Sequence, residues 1–519
     1  MKKILLILLP LVGFYSFAQN DVKWGPLLPT KGRVSSVLPI SSSDFYTIRF
    51  QGGVLFGSDY ITKHSNFAIT AKGKITAKLD KGTGMVEGIF SINDLPYVFI
   101  SDKKDKQNTI YYQKYSDLCE PIGSPKKIAS YNIPKGWKRK GSFDVYLSQN
   151  KEFFVVNYEI PGNKEERDKF GYKVLSSNFE IISEGEYELP YDSDKVTISN
   201  KYLSNTGDYF LAVKVYKSNG KKGIFKSRLN LDKIVLMHVN PDGLEEFNLT
   251  LKGNKTISEL NFSSDNNRLM TFTGLYGDGS GIKGVFFFQL DYNKKDIINE
   301  GWEEFGNDFI TSDWSDKAKE RAKKRSEKGK GDPELYEYEV RDIHTLKDGS
   351  MIGMLEQFYV VVHETTDSKG RVTRTYTYHY NDVIAYKVNK DGGFEWMKKI
   401  KKRQVSQNDY GFFSSIASYN TDEKLVILFN DNLKNYDDNG HFIDDNNRFY
   451  QTRYNKRRNC VAKVEIDLAS GDVNRSTYFD RKETKAYAVP KKFSVDYTKN
   501  EMLMVLLYKK KEKYGVLSF

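Results

Sequence analysis

The sequence predicts an all-β protein, and within that class a β-propeller of eight four-stranded blades, with seven as the alternative. Three observations carry the prediction. Short apolar or alternating runs are split by Asp-Gly and similar turns, which is the pattern of β-hairpins because Asp and Gly tolerate the positive φ of tight turns. One hairpin pattern recurs along the chain, with openings near Ser35, Glu87, Phe143, Ile198, Ile257, Val340, Ser414 and Phe493. Repeated four-stranded units of this size are the sequence mark of a propeller.

The clearest unit runs from Val340 to Ile400. Its first hairpin turns at Lys347-Asp348-Gly349 and its second at Asn389-Lys390-Asp391-Gly392-Gly393. Second hairpins also follow other openings, around Lys72-Gly73, Ser177-Asn178, Pro241-Asp242-Gly243 and Ser470-Gly471. After the eighth opening only three strands' worth of chain remain. The segment Asp21 to Leu28, lying before unit one, can supply the fourth, which would leave no long open edge.

Taken in order, the chain of 519 residues opens with Lys2, Lys3, an apolar run from Ile4 to Val12 and Ser16-Phe17-Ala18. This is a secretory leader over residues 1–18. The apolar run is too short to span a bilayer and no second one follows, so no integral membrane segment is expected after cleavage. The mature part, 19–519, reads as one propeller domain, exported to the periplasm or outside the cell. The absence of a sorting module after Phe519 favours the periplasm.

Aromatic content of 14% fits packed sheets better than disorder. A formal charge of +12 is modest for this length and suits acidic glycans more than nucleic acid, for which no recognition motif is present. The two cysteines, Cys119 and Cys460, fall in units two and seven and are expected to be free thiols.

Units one to five open 52 to 59 residues apart and later ones 74 to 83 apart. The extra residues fall in links that share one end of the units: around Gly277 to Gly281, Trp302 to Tyr338, Tyr359 to Tyr380 and Asp431 to Asn459. Loops elaborated together on a rigid scaffold are where binding is usually placed. Within them, 313–328 reads as a charged helical insertion, capped by Ser312 or Asp313, with Trp314, Ala318 and Ala322 as a narrow docking stripe. Arg374, Tyr376, Tyr378 and Tyr380 alternate along one strand face, a pattern that suits sugar or peptide binding and equally suits cross-strand packing. Tyr436 and His441 lie in the acidic loop and complete the candidate ligand contacts. Asn435, Asp437 and Asn439 match early positions of a calcium loop, but Asn446 stands where a bidentate Glu is needed; calcium is the one cofactor this loop raises, and no other is implied.

Catalytic signatures are lacking: there is no nucleophile elbow, and the six histidines never pair at ligand spacing. The expectation is a non-enzymatic protein that recognises a glycan, peptide or envelope partner on the face carrying the insertions. The alternative is a glycan-active hydrolase or lyase on that face, which needs carboxylates or a Tyr-His or Arg constellation converging in a pocket.

The start Val22-Lys23-Trp24-Gly25-Pro26, the run Tyr376 to Tyr380 leading into Asn381-Asp382-Val383-Ile384, the segment Glu395-Trp396 to Lys402-Arg403-Gln404, and Phe429-Asn430-Asp431-Asn432 resemble a group of exported bacterial β-propeller-like proteins of unassigned function. The resemblance implies a fold and an export route. It supplies no catalytic residue.

Overall fold

Alternating and apolar runs become strands throughout the computed structural model. It describes residues 22–519 except 30, 42, 53–56, 80–81, 134–140, 163–166, 218–229, 250–255, 265–268, 278–280, 292, 330–331 and 456. The leader expected over 1–18 lies outside the described residues.

The protein is all-β: its described residues form eight antiparallel sheets of four or more strands and one two-stranded ribbon. First strands of sheets one to seven begin at Arg33, Met85, Phe143, Val196, Thr256, Tyr338 and Ala417, each within three residues of an opening read from the sequence; in sheet eight the strand at Ser494 does so too, preceded by the short Tyr487–Ala488 along the same neighbour. Sheet eight takes its strands Glu501–Tyr508 and Lys511–Ser518 from the end of the chain, and Val22–Trp24 pairs antiparallel with Gly515 to Leu517 beside them. Turn chemistry sets the hairpins: at Lys347-Asp348-Gly349 the Asp348 carboxylate accepts the Ser350 amide at 2.9 Å, and Gly349 adopts φ +84°.

Middle strands such as Lys424–Asn432 and Ile282–Asp291 are buried almost end to end, because both faces of each sheet are covered by neighbours. Eight core clusters result, each shared by two sheets. Ile61 and Ile100 belong to sheets one and two, Phe99 and Val156 to two and three, Val174 and Leu211 to three and four, Leu236 and Phe272 to four and five. Val285 joins Leu355 across sheets five and six, Val383 joins Ile427 across six and seven, and Leu428 joins Met504 across seven and eight. The eighth cluster packs Val34 and Phe45 of sheet one against Val505 and Tyr514 of sheet eight.

Beside that last cluster, Arg49 of sheet one meets Glu512 of sheet eight in a two-pronged ion pair at 2.6 and 2.7 Å, both side chains buried. Tyr514 Oη and Thr47 Oγ1 accept further guanidinium protons at 3.2 and 2.9 Å. Burial and the Arg49 charge hold His64 neutral, its pKa lowered to about 3.

The helical insertion forms as Asp316–Glu327, capped at Ser315, later than Ser312 or Asp313. Asp313 is drawn into an ion pair with Lys399 at 2.5 Å, and Trp314 packs half-buried on the core between sheets five and six, so the chain turns helical only beyond them. No helix residue is buried. Cys119 and Cys460 are buried free thiols. Among the described residues no helix is long and apolar enough to cross a membrane.

Candidate functional site

In an antiparallel four-stranded sheet, the link between strands two and three and the link to the next sheet leave from the same end. The long insertions therefore share this link end, and they touch. Asn446 Nδ2 donates to the Ser312 carbonyl at 3.0 Å, Asn447 Nδ2 to Asp316 at 3.3 Å, and the Thr452 amide to the Arg403 carbonyl at 2.9 Å. Strands Met351–Thr366 and Val372–Val388 project past their sheet as a long hairpin, and Gln404–Gln407 adds a third strand along Thr377 to Tyr380.

That third strand decides how the tyrosine face is used. Tyr376 is exposed, whereas Tyr378 lies buried against Tyr410 and Tyr380 is buried with its ring 4.6 Å from Phe358. Arg374 pairs across the hairpin with Glu364 at 2.5 Å. Tyr436 is also interior: it donates to Asp431 at 2.7 Å and accepts from Arg475 Nε at 2.9 Å, and the Arg475 guanidinium lies 4.0 Å from the Phe442 ring. His441 is exposed, 3.6 Å from Asp437. In the acidic loop, Asn435 is buried, donating to Asp431 and accepting from the Tyr450 amide. Asp437 caps its own turn through the amides of Asn439 and His441. Among the described residues no group of three or more His, Cys, Asp or Glu is placed to hold a metal.

A cluster that sequence reasoning missed converges at this end from sheets six, seven and eight. Its floor is Glu356, fully buried, paired with buried Lys402 at 2.6 Å and Arg341 Nε at 2.7 Å, and accepting from Ser415 Oγ at 2.7 Å. Burial raises the Glu356 carboxyl, but Lys402 and Arg341 outweigh it and hold the group below its ordinary value. Burial lowers Lys402, with Glu356 opposing.

Above this floor two cations face Tyr380. Lys491 Nζ donates to its hydroxyl at 2.8 Å and sits 4.2 Å from the ring centre; the Arg341 guanidinium lies 5.6 Å from it. Among the described residues no carboxylate pairs with Lys491, and Arg341 Nη2 is buried without a hydrogen-bond partner. Burial lowers Lys491 to about 8, with Glu356 pulling the other way, and pushes Tyr380 up to about 12. Arg341, Lys491, Asp342, Ser415 and Ser418 line a cavity of about 250 Å³. One sequence signal pointed here: Glu356 directly follows the apolar run Met351 to Leu355, where a carboxylate must find a partner.

No family model matches the chain, and no curated protein matches it. Among solved structures, the chain is similar to the Dos1 propeller, at 8% identity over 96% of this chain and 95% of that one, with a TM-score of 0.40. It is similar to the polysaccharide lyase Uly1 at 10% identity, over 94% and 99% of the two chains, TM-score 0.35. An α-L-arabinanase of Penicillium chrysogenum matches at 9% identity over 73% and 99%, TM-score 0.30. Likeness at this level assigns no activity.

Proposed function

We propose that the chain is an exported eight-bladed propeller, its ring closed where strands from both ends meet in sheet eight, that binds an acidic glycan without transforming it. The eight core clusters support the ring, since they link every sheet to the next and the eighth to the first. The leader pattern of residues 1–18 supports export.

The binding reading rests on one observation: beside the cavity Arg341 Nη2 is buried without a partner, and Lys491, which donates to the Tyr380 hydroxyl and the Tyr410 carbonyl, has no carboxylate paired with it among the described residues. A carboxylate or sulfate in that cavity would take charge-assisted hydrogen bonds from both, with Ser415 and Ser418 beside it. Tyr376 and the exposed hairpin edge extend the contact surface along a chain. Glu356 and Asp431, buried at this end, are each held by cations in the pattern of structural pairs, whereas Asp382, raised by burial and Asp313, is the carboxyl there that a hydrolase reading would turn to.

The test is an array of acidic and neutral glycans probed with the mature protein and with Lys491→Gln, which removes a charge that has no carboxylate partner. Binding to acidic glycans is expected to weaken with salt and to fall about 10-fold in the variant, one charge-assisted hydrogen bond's worth, while binding to neutral glycans stays unchanged in it. An unchanged affinity for acidic glycans in Lys491→Gln, or an equal fall for neutral ones, refutes the anion site. Cleavage of a bound glycan restores the hydrolase or lyase alternative.

A further inference from the structure

The opposite end of the same sheets, where their first and second strands turn, holds a larger cavity of about 1000 Å³. It is lined from sheets six, seven and eight and, across from them, by Gln149 of sheet three. None of the candidate ligand or metal residues read from the sequence lines it, though Lys347 and Asp348 of the Lys347-Asp348-Gly349 turn do. Into it opens a chain of hydrogen-bonded groups: Asp342 and His344 on the first strand of sheet six, Ser418 on that of sheet seven, and Tyr497 of sheet eight.

Counting protons fixes the direction of this chain. Ser418 Oγ donates to Asp342 Oδ2 at 2.8 Å, so both atoms facing His344 Nε2, at 3.4 and 3.3 Å, are left as acceptors. Nε2 therefore carries the proton. In the neutral ring Nδ1 is then the lone pair, and the Tyr497 hydroxyl, 3.2 Å away, donates to it. Burial lowers His344 and keeps it neutral, with Asp342 opposing. Tyr497 is 39% exposed and lines the cavity.

We propose that Asp342, His344 and Tyr497 form a general-base relay serving a neutral sugar chain bound in this cavity. Tyr497 oxygen takes the proton of a water or sugar hydroxyl while its own proton passes to His344 Nδ1, and Asp342 faces the imidazolium that results. No proton is gained or lost overall: the one taken from the water or sugar hydroxyl is matched by the one that His344 receives. The ligand class follows from the lining. Gln149, Asn420, Thr421 and Asn500 offer amides and hydroxyls, and the cations Lys347 and Lys387 are already paired with Asp422 and Glu395, at 2.8 Å each. Paired charges and polar neutral groups suit hydroxyls rather than ions. The site shares Asp342 and Ser418 with the lining of the Lys491 cavity, but His344 and Tyr497 face only this one.

Burial and Asp342 push the Tyr497 phenol well above its ordinary value, so it is no resting phenolate, and enhanced reactivity has to come through His344. An aryl sulfonyl fluoride tests this without a known substrate: the phenol oxygen bonds to sulfur, the S–F bond breaks, fluoride leaves and the proton goes to His344. Peptide mapping compares Tyr497 with Tyr336 and Tyr410, which are more exposed at 63% and 71%. The expected result is labelling of Tyr497 at least ~10-fold faster than either, lost in His344→Gln and reduced in Asp342→Asn. Unchanged rates at Tyr336 and Tyr410, with buried Tyr386 unlabelled, show that a variant is folded. Labelling of Tyr497 no faster than those two, or equally fast in folded variants of His344 and Asp342, overturns the relay.

Discussion

Replacing Glu512 by Gln should loosen the junction between the two ends of the chain. The carboxylate is fully buried and meets both terminal nitrogens of Arg49. Gln keeps the shape but leaves a buried guanidinium without a counter-charge, a change that costs about 3–5 kcal/mol. Unfolding entropy of about 2.1 cal/mol/K per residue, over roughly 500 residues melting together, gives about 1 kcal/mol per kelvin. The melting temperature should therefore fall by about 3–5 °C. Hydrogen exchange should place the loss in strands Phe45–Gly52 and Lys511–Ser518, since the partner charges lie there. The double replacement Arg49→Met with Glu512→Leu, which removes both charges, should recover most of the loss. A variant melting within about 1 °C of the parent, or exchange changes spread evenly over all sheets, would refute the view that this pair secures the meeting of the chain ends.

The Asp382 carboxyl is pushed up to about 7, by burial first and then by Asp313, with Lys399 opposing. The unfolded chain releases this proton near 3.9 while the native state keeps it, so this group's contribution to stability falls as pH rises from about 4 to about 7. Against Asp382→Asn, which still accepts the Lys402 amide now 3.0 Å from Asp382, the parent's urea midpoint should decline across that window. Parallel midpoint curves would exclude the shift. N-terminal sequencing of the exported protein should begin at Gln19; a retained Met1 would remove the leader.

How much of this was legible depends on whether a signal is local. The eight openings could be read because each is marked by a turn residue and by alternation on either side, both set within about ten residues. The helix start was misplaced because Asp313 answers to Lys399, 86 residues away. Alternation put Tyr376, Tyr378 and Tyr380 on one face, but only the pairing of Gln404–Gln407 with the same strand, and Tyr410 packed on Tyr378, bury the last two. The Glu356 cluster and the His344 chain were invisible for the same reason: their members stand on three sheets and meet only when those sheets pack.

Sheets six to eight carry the chemistry for a physical reason. Among the described residues of sheets one to five the buried acidic, basic and histidine side chains are few, Arg49, His64 and Asp291, so packing accounts for most of the interior. From sheet six onward, cations and carboxylates enter the interior: Glu356 with Lys402, Asp382 beside Lys399, Asp431 with Arg475. Each buried pair costs desolvation that a hydrophobic replacement would avoid, so pairs retained in the interior call for a role besides stability. Two of these three pairs adjoin inserted loops, and the third floors the cavity where Lys491 and Arg341 are left with donors to spare. Asp342 stands between the two cavities, lining one and orienting His344 in the other. A ligand at the link end and a proton carrier at the turn end would thus be neighbours along the same first strand, three residues apart from Arg341 to His344.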